Sequence, residues 1–170
     1  MTSLFPADLY ADAEALLAEL QRHALLIVTA ESCTGGLLAG LLTEVPGSSG
    51  MVERGFVTYS NAAKTELLGV RAELIERYGA VSEPVARAMA EGALAHARAD
   101  IAVSVTGIAG PGGGGVEKPV GLVHFGAALR GSDGTLHRVE HFGDPGRRAI
   151  RMASVETAFE LLRACAGLRR

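Results

Sequence analysis

Positive charge is scarce in this 170-residue chain: 16 lysines and arginines face 19 aspartates and glutamates, a net charge of −3. That balance excludes the broad basic surface on which sequence-independent binding to nucleic acid or an anionic membrane depends. Neither partner is expected, and any anion must be met locally. Long apolar runs are missing too, since the longest, Ala24 to Val28, is far too short to cross a bilayer. The stretch Met1 to Leu20 carries Asp8, Asp12, Glu14 and Glu19 but no basic residue, so it lacks the charged lead of a secretory signal. Cys33 and Cys165 are the only cysteines, too few for a disulfide framework and without zinc-site spacing. A reducing cytoplasm is the expected compartment. There is no tryptophan, no internal repeat and no linker.

What is present is a chain 48% hydrophobic with 22 glycines, long enough for an ordinary core, and a single domain over 1–170 is expected. Leu9, Leu16, Leu17 and Leu20 behind Pro6 predict an amphipathic helix over 6–22. Ala24 to Ala30 is apolar on both faces and predicts a buried strand. It runs through Glu31-Ser32-Cys33-Thr34-Gly35-Gly36 into a small-residue helix, Leu37 to Glu44, stopped by Pro46-Gly47. A second strand, Gly55 to Tyr59, leads to Ser60-Asn61 as cap for a helix from Ala62 to Leu68, closed by Gly69. Helices are expected over 71–78 and 83–98, the latter with Ser82 as cap and Pro84 in its first turn. Ile101 to Thr106 predicts another buried strand, ending in the glycine tract Gly107 to Gly115. Strands over about 120–129 and 135–142 flank the hairpin signal Gly131-Ser132-Asp133-Gly134, and a last helix runs from about Arg147 to Leu162. Alternating helices and strands followed by a hairpin predict an α/β fold of three α/β/α layers with a mixed sheet.

The glycine tract fits two familiar labels poorly. Gly110-x-Gly112-x-x-Gly115 follows a strand but leads through Val116-Glu117-Lys118-Pro119 into another strand, so no helix start awaits a pyrophosphate. A phosphate-cradling loop of the nucleoside-triphosphatase kind needs Gly-Lys before Ser or Thr, whereas Lys118 stands between Glu117 and Pro119. A solvent loop and a loop that covers a ligand both remain open.

Ser32 sits where a buried strand turns into a helix whose start holds Thr34, Gly35 and Gly36. Backbone N–H groups there can bind a phosphate or stabilise an oxyanion, although the same residues also suit a plain helix cap. A serine hydroxyl needs a base. None of the five histidines is placed to serve: His23, His96 and His124 are isolated, and His137 and His141 near Glu140 share a strand face without an evident third ligand, so no metal is expected. The chain has two lysines, Lys64 and Lys118. Lys64 opens a helix after Thr58-Tyr59-Ser60-Asn61 and can act as base only if burial leaves it neutral; a solvated surface lysine is the alternative. Cys33 beside Ser32 is a second candidate nucleophile.

Thr29 to Gly36, Pro46-Gly47-Ser48-Ser49, Arg54 to Asn61 with Lys64, Gly79 to Val85, Thr106 to Gly113 and Glu117 to Gly121 stand in this order across most of 25–155. Together they resemble the CinA C-terminal domain family of nicotinamide-nucleotide amidases, also called nicotinamide mononucleotide (NMN) deamidases, in its stand-alone form. The resemblance implies hydrolysis of the NMN carboxamide to nicotinate mononucleotide and ammonia, a step of pyridine-nucleotide salvage, without metal or organic cofactor. It also implies a Ser/Lys dyad on Ser32 and Lys64, with Tyr59 orienting Lys64 or meeting the substrate and Thr106 in a similar role. Oxyanion donors are then sought among Thr34 to Gly36 or at Thr106 and Gly107. For the substrate, Asn61, and for its phosphate Ser48, Ser49, Gly35, Gly36 and Arg147, are the candidates. Arg147 follows Gly143-Asp144-Pro145-Gly146, where the family has Gly-Asp-Arg before an Ile-Arg pair, here Ile150-Arg151. A homodimer is expected, and a non-catalytic nucleotide-binding or competence-related partner domain is the alternative.

Overall fold

Leu9, Ala13, Leu16, Leu17 and Leu20 fall on one side of a helical repeat, and the computed structural model, which describes residues 3–167, buries all five in the core as helix α1 (Ala7–Arg22). The strand expected from Ala24 begins three residues later. Ala24 takes a positive φ of 52° and Leu25 N–H bonds back to Leu20 O, so these residues finish the helix before β1 (Ile27–Glu31) starts. Helix α2 (Leu37–Glu44) and a 3-10 turn (Ser48–Gly50) then lead to β2 (Val52–Val57). That strand lies earlier than the expected Gly55 to Tyr59. It is an edge strand with no fully buried residue, so it lacks the apolar alternation by which bounds are read.

Helices α3 (Asn61–Leu68), α4 (Ala72–Tyr78) and α5 (Glu83–Ala95) follow. Ser60 caps α3 by accepting from Ala63 N–H at 3.0 Å, and Gly69 closes it in the left-handed conformation. Ser82 makes no such cap; its hydroxyl donates to Gly79 O at 2.8 Å. Strands β3 (Ile101–Gly107), β4 (Leu122–Leu129) and β5 (Leu136–His141) complete the sheet, and α6 (Arg147–Ala166) runs a turn beyond the expected Leu162 to a left-handed Gly167.

The sheet is mixed, in the order β2-β1-β3-β4-β5, with β1, β2 and β3 parallel and β4 and β5 antiparallel. One apolar layer joins α1, α2 and α6 to Ile27, Val103, Val105 and Phe125; the other joins α3, α4 and α5 to Val28, Ala30, Ala102 and Ala128. Odd and even residues of β1, β3 and β4 thus serve opposite layers, as the pleat requires. The chain leaves β1 toward β2 through α2 on one face and returns to β3, on the other side of β1, through helices on the opposite face. The carboxyl ends of β1 and β3 therefore flank a topological switch point, where open α/β sheets bind ligands. No helix among the described residues is long and apolar enough to cross a membrane.

Candidate active site

Ser32 follows β1 directly, and its N–H donates to Val105 O at 2.9 Å, which ties the turn to β3. The next residues do not open a helix terminus to solvent. Glu31, fully buried, turns its carboxylate under α2 and accepts from the N–H groups of Gly36 (3.0 Å), Leu38 (3.1 Å) and Ala39 (2.8 Å). The positive end of α2 is thereby neutralised by the protein's own acid. Gly35 N–H is engaged as well, on Ser32 O at 3.0 Å. Gly35 and Gly36 thus have no free amide for a phosphate. Thr34 is fully buried outside the pocket, and its hydroxyl has no partner among the described residues.

Lys64 lies on α3 and is 1% exposed. Its Nζ stands 3.0 Å from Ser32 Oγ and donates to Thr58 O at 2.8 Å. Thr58 continues the pairing of the parallel strands, its N–H on Glu31 O at 2.8 Å, so the carbonyl that holds the amine is itself fixed to β1. Removal from water holds the Lys64 amine below the usual lysine range. Cys33, next to the serine, sends its side chain into the core layer of α1, α2 and α6, where burial, with help from the Glu31 charge, pushes its thiol up to about 12. A thiol so held is protonated at neutral pH and is a poor nucleophile there.

A pocket of about 260 Å³ opens over this pair, lined by Ser32, Cys33, Tyr59, Asn61, Lys64, Ala80, Val81, Thr106, Gly107, Arg147 and the glycine loop from Ile108 to Gly113. Ser32, Lys64, Tyr59, Thr106, Asn61, Gly107 and Arg147 are thus brought together from four segments of the chain. Their contacts differ from expectation in detail. Tyr59 OH meets Arg147 Nη2 at 3.0 Å rather than Lys64, which is oriented by the carbonyl one residue earlier. Thr106 Oγ1 donates to Ala80 O at 2.9 Å and so fixes the opposite wall. Arg147 Nη1 donates to Gly110 O at 2.7 Å, joining the glycine loop to the first turn of α6.

Ser48 and Ser49 are not brought to the pocket. They lie in the 3-10 turn before β2, and Met51 O receives Ile27 N–H at the start of β1, so the length of a five-residue strand, about 16 Å, separates them from Ser32. His137 instead meets His124 on the neighbouring strand, with Nε2 3.0 Å from His124 Nδ1 and Nδ1 3.6 Å from Glu83. Among the described residues no group of three or more His, Cys, Asp or Glu gathers to hold a metal.

Two site residues had no role assigned from sequence, Glu31 and Arg151. Arg151 on α6 donates from Nε to Cys33 O (3.1 Å) and from Nη2 to Thr34 O (2.7 Å). An acid ending an otherwise buried strand ahead of a glycine-rich helix start was a readable signal for the first, because a buried carboxylate needs donors. No local pattern pointed to the second.

A serine hydroxyl held on a buried amine, at the switch point of a mixed α/β sheet, is the equipment of a hydrolase-like α/β domain. A model of the CinA C-terminal domain matches residues 10–166, and the chain belongs to that family. It is 50% identical over 143 residues to the nicotinamide-nucleotide amidohydrolase PncC of Escherichia coli, covering 84% of this chain and 86% of that protein. A CinA-like protein of Parasynechococcus marenigrum is 53% identical over 152 residues, which is 89% of this chain and 36% of the relative. The chain spans about a third of the length of such CinA-like relatives, 27% to 36%. Among solved structures, the competence/damage inducible protein CihA of Agrobacterium tumefaciens superposes with a TM-score of 0.94 at 52% identity, covering 97% of this chain and 99% of that one. A CinA-superfamily protein of Escherichia coli superposes with a TM-score of 0.86 at 36% identity, covering 95% and 92%.

Proposed function

We propose that this protein is an amidohydrolase that converts the carboxamide of NMN to nicotinate mononucleotide and ammonia, with Ser32 as nucleophile and Lys64 as base. The observation that carries the reading is the buried Lys64 amine, 3.0 Å from Ser32 Oγ and anchored on Thr58 O. In its neutral form the amine keeps one proton on Thr58 O and turns its lone pair to the serine hydroxyl. Lys64 takes the Ser32 proton as Oγ bonds to the amide carbon. The Cys33 N–H, which has no oxygen acceptor among the described residues, and the glycine-loop amides supply donors for the oxyanion. Protonated Lys64 then delivers its proton to the departing nitrogen, ammonia leaves, and water activated by the same amine hydrolyses the nicotinoyl ester on Ser32.

Arg147 at the mouth is the cation for the substrate phosphate, since two of its five N–H donors are engaged within the protein. A volume of about 260 Å³ is near the lower end of small-molecule pockets, about 300–1,000 Å³, and suits a mononucleotide with its phosphate toward solvent. The name of the PncC relative supports the substrate class. Work in pyridine-nucleotide salvage, in the cytoplasm and as a homodimer, belongs to the same proposal. The test is ammonia release from NMN with nicotinamide riboside as the control lacking phosphate. Turnover with preference for the nucleotide is expected, and tight binding of NMN without turnover would overturn the reading in favour of a binding domain.

A further inference from the structure

Arg151 is outside the dyad and outside the pocket lining, yet both of its bonds fall on the two residues that follow Ser32. A trans peptide is planar, with the C=O of one residue antiparallel to the N–H of the next. Holding Cys33 O therefore fixes the direction of Thr34 N–H, and holding Thr34 O fixes Gly35 N–H. Gly35 N–H donates to Ser32 O at 3.0 Å, and that carbonyl in turn fixes Cys33 N–H. Three successive peptide planes thus link the guanidinium to the amide adjoining the nucleophile. The approach depends on Gly35, where φ is +60° and a Cβ would stand 3.3 Å from Arg151 Nη2. A planar fork with two donors suits two neighbouring carbonyls, and a lysine ammonium does not reproduce it.

We infer that Arg151 is a positioning residue for the hydrolysis. It locks the peptide planes of the Ser32–Gly35 turn so that Oγ stays on Lys64 and Cys33 N–H stays aimed at the developing oxyanion. The inference rests on the amidohydrolase reading. Its test is ammonia release from NMN and from the corresponding thioamide nucleotide, whose sulfur is a weak hydrogen-bond acceptor, by wild type, Arg151→Gln and Arg151→Lys.

Arg151→Gln should lose roughly 10- to 100-fold in kcat, with KM within about threefold of wild type, and Arg151→Lys should fall between. The oxygen-over-sulfur rate ratio should shrink in Arg151→Gln, because the amide that reads the difference is no longer held. Circular dichroism and Tm establish that the variants are folded. An Arg151→Gln enzyme with full kcat overturns the role, and so does a loss that leaves the oxygen-over-sulfur ratio at the wild-type value, the mark of a merely structural defect. Wild type that releases no ammonia sinks the amidohydrolase reading and this role with it; an active wild type beside an unaffected variant sinks only the role of Arg151.

Discussion

Replacing Lys64 by Met separates the chemical use of the buried amine from its effect on the fold. A lysine at its ordinary value of 10.5 would be neutral in about one molecule per thousand at pH 7.5. Burial shifts Lys64 below that value, and each pH unit of depression raises the neutral share tenfold while making the charged form about 1.36 kcal/mol costlier to bury. Between the depressed folded pKa and 10.5 the unfolded chain binds more protons than the folded one, so stability rises with pH through that window. Below the folded pKa both states are charged and the burial cost is fully present. Lys64→Met removes this dependence. It also leaves Thr58 O without its donor, a loss of about 1–3 kcal/mol that does not vary with pH. The Tm of the variant relative to wild type should therefore be more favourable at pH 6 than at pH 10, while kcat for ammonia release falls by about 10²- to 10⁴-fold. In wild type, kcat/KM should rise with pH until it reaches the folded pKa of Lys64. A variant within tenfold of wild-type kcat, or a Tm difference that does not vary with pH, would refute the reasoning.

Exchanging the neighbours at the turn distinguishes the nucleophile: Ser32→Ala should abolish ammonia release with little change in Tm, whereas Cys33→Ala, which removes a protonated core thiol, should keep kcat within about threefold and lower stability by about 1–2 kcal/mol. Glu31→Gln sets an NH₂ group among three amide donors and should destabilise by about 2–4 kcal/mol, about 4–16 °C in Tm by calorimetry. His124 is held down to about 4, by burial first and then by His137 and Lys118, so its unfolded form binds the proton preferentially between about 4 and 6.5. Wild-type stability should accordingly fall as pH drops through that window, and urea titrations of His124→Gln should show a flatter pH profile. An unchanged profile would contradict the assignment.

The contact between Ser32 and Lys64 was legible because each residue sits at a punctuation point of the chain. Ser32 follows a fully buried strand, Lys64 lies in the first turn of a serine-capped helix, and lysine is rare enough here that its position stands out. The layers were legible for a similar reason, since helices and strands alternate before the hairpin. Strand order was not, because parallel neighbours are joined by long crossovers that leave no local trace. Ser48 and Ser49 show the same limit: a motif gives residue types but not the end of the strand at which the fold leaves them. Arg151 lies 118 residues from the carbonyl it holds, and no periodicity relates the two.

Glu31 changes what the glycines after Ser32 are for. A glycine-rich helix start beside a serine reads as an anion site, and that reading would have the substrate phosphate or oxyanion on the first amides of α2. With the Glu31 carboxylate already on three of those amides, a second anion there would meet a buried negative charge and find few donors. The positive φ values at Gly35 (60°) and Gly36 (93°) instead let the chain turn tightly between a carboxylate that takes its amides and a guanidinium that takes its carbonyls. The turn is thus held from both sides with its polar groups largely engaged, which favours a fixed Ser32 over an adaptable ligand cradle. In the proposed reaction the substrate phosphate is then left to another part of the pocket lining. There Arg147, one helical turn before Arg151 on α6, stands between Gly110 O and Tyr59 OH. One helix accordingly carries both arginines, Arg151 set on the Ser32 turn and Arg147 on the glycine loop and Tyr59.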